Sequence, residues 1–403
     1  MFRKLVALKR LAKQLWVRVA LFAVLAIVSV LFSHLAAGLV PDEVAARIGP
    51  DAVTPILSIL ASSMLAVSTF SLATMVSAHF SAAGSTTPRV MRLLTADSTT
   101  QTVLAIFIGA FVFALTALIL FYAGYDSGAA LVLGVTLWVT GAVVLALIRW
   151  IAHLTALGTM GDVLQRTETT AKNSLTNHRR RPALGAQSLG ADIIMPDDAK
   201  TLRSPKSGVL QMIDVAGLAR CSTTPVFVLR RPGQVVLHGA PLAQFSGDVS
   251  AEALLSCFVI GESRTFEQDP AFAMTVLSEV ALRALSPAVN DPGTAIDVIS
   301  RLERLLWDWA HGDGPDSVSY PLVYVPVLCA EDLVNASFDA IARDGAALYE
   351  VCAHLLDALN ALAQSEEADL AVAAQALAHR ARAHAQQAMR LEDDVLRLPP
   401  ARE

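Results

Sequence analysis

DAVTPILSILASSMLAVSTFSLATMVSAHFS, running from Asp51 to Ser81, decides what kind of molecule this chain is. The stretch is long enough to cross a bilayer and has no acidic or basic residue after Asp51 other than a histidine, so it reads as a membrane-spanning helix. It is also crowded with hydroxyls: Thr54, Ser58, Ser62, Ser63, Ser68, Thr69, Ser71, Thr74, Ser77 and Ser81. A helix facing only lipid has no use for so many, which predicts that part of its surface meets protein or water. At one residue per 100°, Thr54, Ser58, Ser62 and Thr69 fall within ~80° of one another. Ser63, Thr74, Ser77 and Ser81 gather on the opposite side. Two readings fit. Small residues let membrane helices approach closely, with the hydroxyls bonding back to their own helix. Alternatively, one stripe lines a pore built by several subunits. Ser58, Ser62 and Thr69 are then the pore-or-packing candidates, with His79 and Arg89 at its mouth.

The rest of the composition agrees with a membrane protein. Of 403 residues, 54% are hydrophobic and only 17% charged, and the mean hydropathy is +0.52. These values exceed what a soluble globular chain carries. The apolarity is concentrated before about residue 157, and the remainder resembles a soluble domain. Apolar runs predict four transmembrane helices, over about 17–40, 52–81, 100–124 and 128–152. Arg3, Lys4, Lys9, Arg10, Lys13 and Arg18 precede the first, Arg89 and Arg92 follow the second, and Arg149, Arg166 and Lys172 attend the exit from the fourth. The other two loops are nearly free of cations. The positive-inside rule then predicts both termini in the cytoplasm and an even number of spans. A net charge of −5 gives no reason to expect nucleic acid as a partner. Cys221, Cys257, Cys329 and Cys352 stand singly, without ligand spacing, and read as reduced structural thiols.

The expected fold is therefore a membrane α-helical half with four transmembrane helices, followed by a cytoplasmic α+β half. Residues 1–176 would form the transmembrane domain, with a basic lead-in and a cytoplasmic stalk helix. Residues 177–200, NHRRRPALGAQSLGADIIMPDDAK, read as a solvated linker near anionic headgroups. Short β-rich runs punctuated by Pro232-Gly233 and Gly239-Ala240-Pro241 predict a small β-barrel-like module over 201–250. From 251 to 403 the pattern is mainly helical, with one strand in VSYPLVYVPVL (Val318–Leu328) and an N-cap expected at Ser365.

RTFEQDPAF (Arg264–Phe272) and LRALSPAVNDPGTAID (Leu282–Asp297) are rich in turn chemistry. Ser286-Pro287 should end one helix, and Asp291-Pro292 should begin the next as N-cap and first helical position. These motifs, with SGVLQMID (Ser207–Asp214), RPGQVVLHGAPL (Arg231–Leu242) and TPRVMRLLTADSTTQTVLAIFIGAFVFAL (Thr87–Leu115), resemble the bacterial membrane-protein family catalogued as domain of unknown function 2254. The resemblance covers nearly the whole chain, and ALSPAVNDPGTA is its most specific part. It implies a bacterial inner-membrane protein with a multi-spanning N-terminal part and a cytoplasmic C-terminal part, and it implies no activity. The chain departs from the family pattern around Ser81–Thr87 and at Ile148–Leu154, the second of which bears on His153.

Arg264, Glu267, Asp269, Asn290 and Asp291 are the candidate ligand-pocket residues. If the intervening helix packs back on the loop, Arg264 could clamp an anion and Asn290 read a polar group. The competing reading is a network of caps and ion pairs holding two helices together. Glu267, Asp269 and Asp291 could also hold a metal, although no spacing enforces it. Nucleophile elbows, Walker loops, dinucleotide fingerprints and zincin motifs are absent from the sequence, and no cofactor is expected. The expected function is a homo-oligomeric channel or transport-like protein, whose cytoplasmic domain binds a ligand or protein partner. The alternatives are a membrane-anchored sensor or scaffold without a pore, and a membrane-tethered enzyme.

Overall fold

The computed structural model describes residues 15–35, 48–85, 88–89, 98–125, 129–154, 158–190, 192–193, 195–196 and 198–401. They divide into two units, with the boundary between Val163 and Leu164.

The first unit is helical: α1 (Leu15–Leu35), α2 (Pro50–Ser85), α3 (Ser98–Tyr122) and α4 (Ala129–Leu154). Three stretches, Pro50–Ala78, Thr99–Tyr122 and Ala129–Leu154, are long and apolar enough to cross a membrane. Four such spans were expected. The apolar run of α1, Val19–Phe32, falls short of spanning length, and the expected end of that span near Val40 lies outside the described residues. α3 is the central helix, against which α1, α2 and α4 all pack. Gly109 permits a close approach of α1 to α3, because a Cβ there would stand 3.2 Å from Phe22 Cβ. On α2 the buried positions are Val53, Leu57, Leu60, Ala61, Met64, Ser68 and Ser71, an i, i+3, i+4 stripe packed with Val103, Phe107, Ala110 and Phe113 of α3. That stripe lies between the two hydroxyl faces read from the sequence. Ser58, Ser62 and Thr69 are accordingly exposed on this unit.

The second unit is α/β. Its elements are α5 (Met160–Arg180, from Leu164 onward), β1 (Ala186–Ser188), β2 (Lys200–Arg203), β3 (Gly208–Ile213), α6 (Val215–Cys221), β4 (Val226–Val228), β5 (Val235–Val236), β6 (Pro241–Phe245), α7 (Ala251–Leu255) and β7 (Phe258–Gly261). They continue with α8 (Pro270–Ala284), α9 (Pro292–Ala310), β8 (Tyr320–Val325), α10 (Ala330–Val334), α11 (Ala340–Asp344), α12 (Tyr349–Leu362), α13 (Ala368–Ala388) and α14 (Glu392–Arg397). One π-helical turn, Asn335–Asp339, joins α10 to α11.

The strands do not close into a barrel. They form an open five-stranded sheet, β1-β8-β4-β6-β2, and a three-stranded sheet, β5-β3-β7. The reason lies in partners outside 201–250. β4 pairs in parallel with β8, and β3 pairs with β7. A parallel pair requires a long crossover, so the segment cannot close on itself through hairpins. Leu210, Ile213, Val226, Leu242, Phe245, Phe258 and Val323 share one buried core with Leu218 of α6. The 177–200 interval, expected as linker, holds the last turn of α5 and strand β1, which pairs with β8.

Local chemistry sets the helices that follow. Asp269 caps α8 and Asp291 caps α9, each with proline in the first turn. α13 starts two residues later than expected: Glu367 is its N-cap, and the Ser365 hydroxyl accepts from the Glu367 amide.

Candidate functional site

A cleft of about 480 Å³ opens in the α/β unit. The last turn of α5 supplies Asn177, His178 and Arg180. The turn after β4 supplies Arg231 and Pro232, the approach to α8 supplies Glu267 to Pro270, and β8 with its exit supplies Tyr320, Val325 and Pro326.

Each wall is fixed by chemistry within the unit. Along α5, buried Leu164, Ala171 and Leu175 mark one face, and His178 continues it. Lys172 binds Asp308 at 3.0 Å, and Glu168 binds Arg301 and Arg304, so α5 is tied to α9 along its length. The arginine run is not free in solvent. Arg179 meets Glu367 at 2.6 Å and donates to the Ala310 carbonyl at 3.1 Å, while Arg180 faces Asp313 and Arg181 faces Asp316.

His178 is the distinctive residue of the cleft wall. Its ring stacks on Trp309 with centroids 6.2 Å apart. Both ring nitrogens are shielded from solvent and have no hydrogen-bond partner among the described residues. Burial, reinforced by the Arg231 and Arg179 charges, lowers its pKa to about 4. It is therefore a neutral imidazole at ordinary pH. Arg231 is anchored by Asp332 at 2.6 Å and by the Val327 carbonyl at 3.2 Å. Burial pushes the Asp332 carboxyl up, but the hydrogen bonds from Arg231 and Cys329 and the Arg231 charge together outweigh it and hold the group below its usual range.

The opposite wall is built from the segment 262–270. The Gln268 side-chain amide pairs with Ile213, accepting from its N–H at 2.8 Å and donating to its carbonyl at 3.2 Å. Gln211 donates to the Ser263 carbonyl at 2.7 Å. Arg264 grips Asp269 through two bonds, 2.7 and 2.9 Å, and Asp269 also accepts the Phe272 amide at 3.1 Å. Gly233, at φ +91°, backs this pair: a Cβ there would sit 2.1 Å from an Asp269 carboxylate oxygen. Glycine is required at that position twice over, by its left-handed backbone and by lack of room.

The five pocket residues expected from sequence are thus divided. Arg264 and Asp269 satisfy one another, with Asp269 only 4% exposed. Glu267 is exposed on the cleft lining. Asn290 and Asp291 lie beyond the other end of α8, whose 15 residues make it ~22 Å long. There Asn290 takes a left-handed conformation at φ +51°, and Asp291 accepts from the Thr294 amide at 3.0 Å and hydroxyl at 2.6 Å. No group of three or more metal-ligating side chains forms among the described residues. His178 and Arg231 were missed by sequence reasoning. The signal for His178 was its phase with Leu164, Ala171 and Leu175 on an amphipathic helix.

The pore-or-packing candidates meet a plain chemical fact. Ser62 donates to the Ser58 carbonyl at 2.9 Å, Ser63 to Ile59 at 2.6 Å, Thr69 to Ala66 at 2.9 Å and Thr74 to Ser71 at 2.9 Å. Hydroxyls returned to their own helix need neither water nor a pore. The His79 side chain lies outside the described residues, and Arg89 is exposed.

The apolar helices and the folded α/β unit define a membrane protein with an α/β C-terminal part. Residues 12–361 match the family described as "Predicted membrane protein (DUF2254)", and the chain belongs to that family. Two curated relatives, uncharacterised proteins of Mycobacterium bovis and Mycobacterium tuberculosis, are each 32% identical over 187 residues. The match covers 42% of this chain and only 36% of each relative's length. No solved structure matches the chain.

Proposed function

We propose that this protein is a membrane-anchored sensor whose α/β unit binds a small polar ligand in the cleft between His178, Arg231 and Glu267. One observation carries the reading: a buried imidazole with two unpartnered nitrogens in the wall of a sizeable, charge-lined cavity. Buried polar groups nearly always have partners, and a ligand or a rearranged wall would supply them. The cleft offers a neutral ring, an anchored guanidinium and a carboxylate, which together suit a compact solute with both charged and neutral polar groups. The distribution of lysine and arginine in the sequence supports a cytoplasmic position for this unit in a bacterial inner membrane.

Thermal shift and calorimetric titration of the full chain in detergent would test the proposal, using inorganic phosphate, acetate, glycine and AMP as probes. Binding by at least one probe, lost in Arg231→Ala and His178→Phe, is expected. Saturable binding unaffected by both variants, or no binding by any probe, would refute it.

A second reading, the homo-oligomeric channel, is favoured by the outward placement of Ser58, Ser62 and Thr69 on the helical unit. Small outward residues on a spanning helix suit a second copy as well as lipid. Liposome flux combined with the mass of the detergent complex separates the two: a monomer without ion or solute flux would exclude the channel.

A further inference from the structure

Within the spanning helices, polar side chains gather at one level. The Thr100 hydroxyl at the start of α3 lies 3.1 Å from Nε2 of His153 in the last turn of α4. Trp150 is 2% exposed, and its ring centre is 6.0 Å from that of His153. Gln101 beside Thr100 is buried as well. α2 lies against the chain just beyond α4: a Cβ at Gly158 would sit 3.0 Å from the Ala78 carbonyl. Met75 of α2 and Leu154 of α4 both pack on the apolar core of this unit, and Ser71 is one turn from Met75 on the buried stripe of α2.

Ser71 and Trp150 differ from the polar residues around them. Ser62, Ser63, Ser68, Thr69 and Thr74 all return their hydroxyls to carbonyls of α2. Ser71 Oγ does not: the residue is 0% exposed, and the hydroxyl has no partner among the described residues. The Trp150 indole N–H is equally without one. An indole nitrogen can only donate, so what is missing at Trp150 is an acceptor. Lipid hydrocarbon cannot provide it.

We propose that Ser71, Thr100, Trp150 and His153 frame an intramembrane site for a small hydrogen-bond acceptor, either a water molecule or a monovalent anion such as chloride. The acceptor takes the Trp150 N–H and the Ser71 hydroxyl, and the Thr100–His153 pair closes its far side. Either source fits the donors; chloride would use donors alone, whereas water also donates onward. The site is independent of the cleft in the α/β unit.

The experiment is solution NMR of the full chain labelled with ¹⁵N-tryptophan in detergent micelles, in chloride and in gluconate buffers. Trp150→Phe assigns the Trp150 indole resonance. The expected result is an indole proton in the hydrogen-bonded range that moves in Ser71→Ala. If the resonance also shifts saturably with chloride, the occupant is the anion; if it is the same in both buffers, it is water. Ser71→Ala should further lower the unfolding midpoint relative to Ser68→Ala, whose hydroxyl merely bonds its own helix. An indole proton in the free range, or one that Ser71→Ala leaves in place, overturns the proposal. A midpoint for Ser71→Ala at or above the wild-type value counts against it too.

Discussion

Arg264→Ala separates a structural role from a ligand-binding one. Arg264 neutralises Asp269 through two bonds, and Asp269 is 4% exposed. Removing one partner of a buried pair strands the other charge, at a cost of about 3–5 kcal/mol. Here Arg264 is itself 33% exposed, so water can reach the site it vacates. A discounted figure of about 2–3 kcal/mol is appropriate. The Phe272 amide still bonds Asp269, so the cap on α8 survives. For a unit of this size, roughly 2–4 °C of melting temperature accompanies each kcal/mol, giving a drop of about 4–12 °C. Scanning calorimetry of the full chain measures the drop, and hydrogen exchange on peptides from the α/β unit assigns it. Arg264→Lys should recover only part, because an ammonium keeps the charge but not the two-pronged geometry. A fall of less than about 1 °C would refute the assignment of Arg264 to structure. It would return that residue to the role of ligand clamp.

Three further outcomes are expected. His178 has a folded-state pKa near 4 against an ordinary 6.5, so the folded chain refuses a proton that the unfolded chain accepts. Its contribution is complete above pH 6.5 and is lost as pH falls toward 4, by up to roughly 3 kcal/mol. Urea denaturation across that window, wild type against His178→Phe, should show the slope reduced in the variant. Asp291→Ala removes the cap of α9 and should cost about 1 kcal/mol. The Thr294 hydroxyl, then its amide, hold the Asp291 carboxyl below the usual range, so this contribution is present at neutral pH and vanishes as pH falls through that lowered pKa. Stability measured from pH 7 downward should show the variant's deficit shrinking as the solution is acidified below the ordinary carboxylate range. Ser62→Ala should change stability by less than about 0.5 kcal/mol, since its hydroxyl bonds only the helix that carries it. A large loss in detergent unfolding would show that Ser62 has a partner elsewhere.

The sequence was informative wherever a signal is local. Hydropathy placed α2, α3 and α4, and the Asp-Pro pair at 291–292 placed the start of α9. VSYPLVYVPVL held β8. Pairing between strands far apart in the chain carries no such local mark, so β3 and β4 looked like parts of a self-contained module although β3 also pairs with β7 and β4 with β8, both beyond residue 250. The hydroxyl stripes of α2 were read from periodicity, which cannot tell a packed face from an outward one. Packing chose the apolar stripe between them, which holds Ser68 and Ser71. The candidate site was half legible. Arg264 and Asp269 were seen as a group, and their separation from Asn290 by a 15-residue helix was calculable from the same sequence. His178 was hidden because an arginine run beside a proline resembles a solvated tether. Only the acids that come to meet it, Glu367, Asp313 and Asp316, make it part of a wall.

The position of β8 inside its sheet sets a timetable for synthesis. β1 pairs only with β8, and β4 has β8 along one edge. About 90 residues separate the end of β4 from the start of β8. At ribosomal speeds that interval takes roughly 5–20 s. Throughout it the nascent chain presents an open, hydrophobic strand edge, which invites association with other chains. Chains truncated before Tyr320 would make this exposure permanent, and slowing translation across the interval should raise the aggregated fraction without any change in the finished protein.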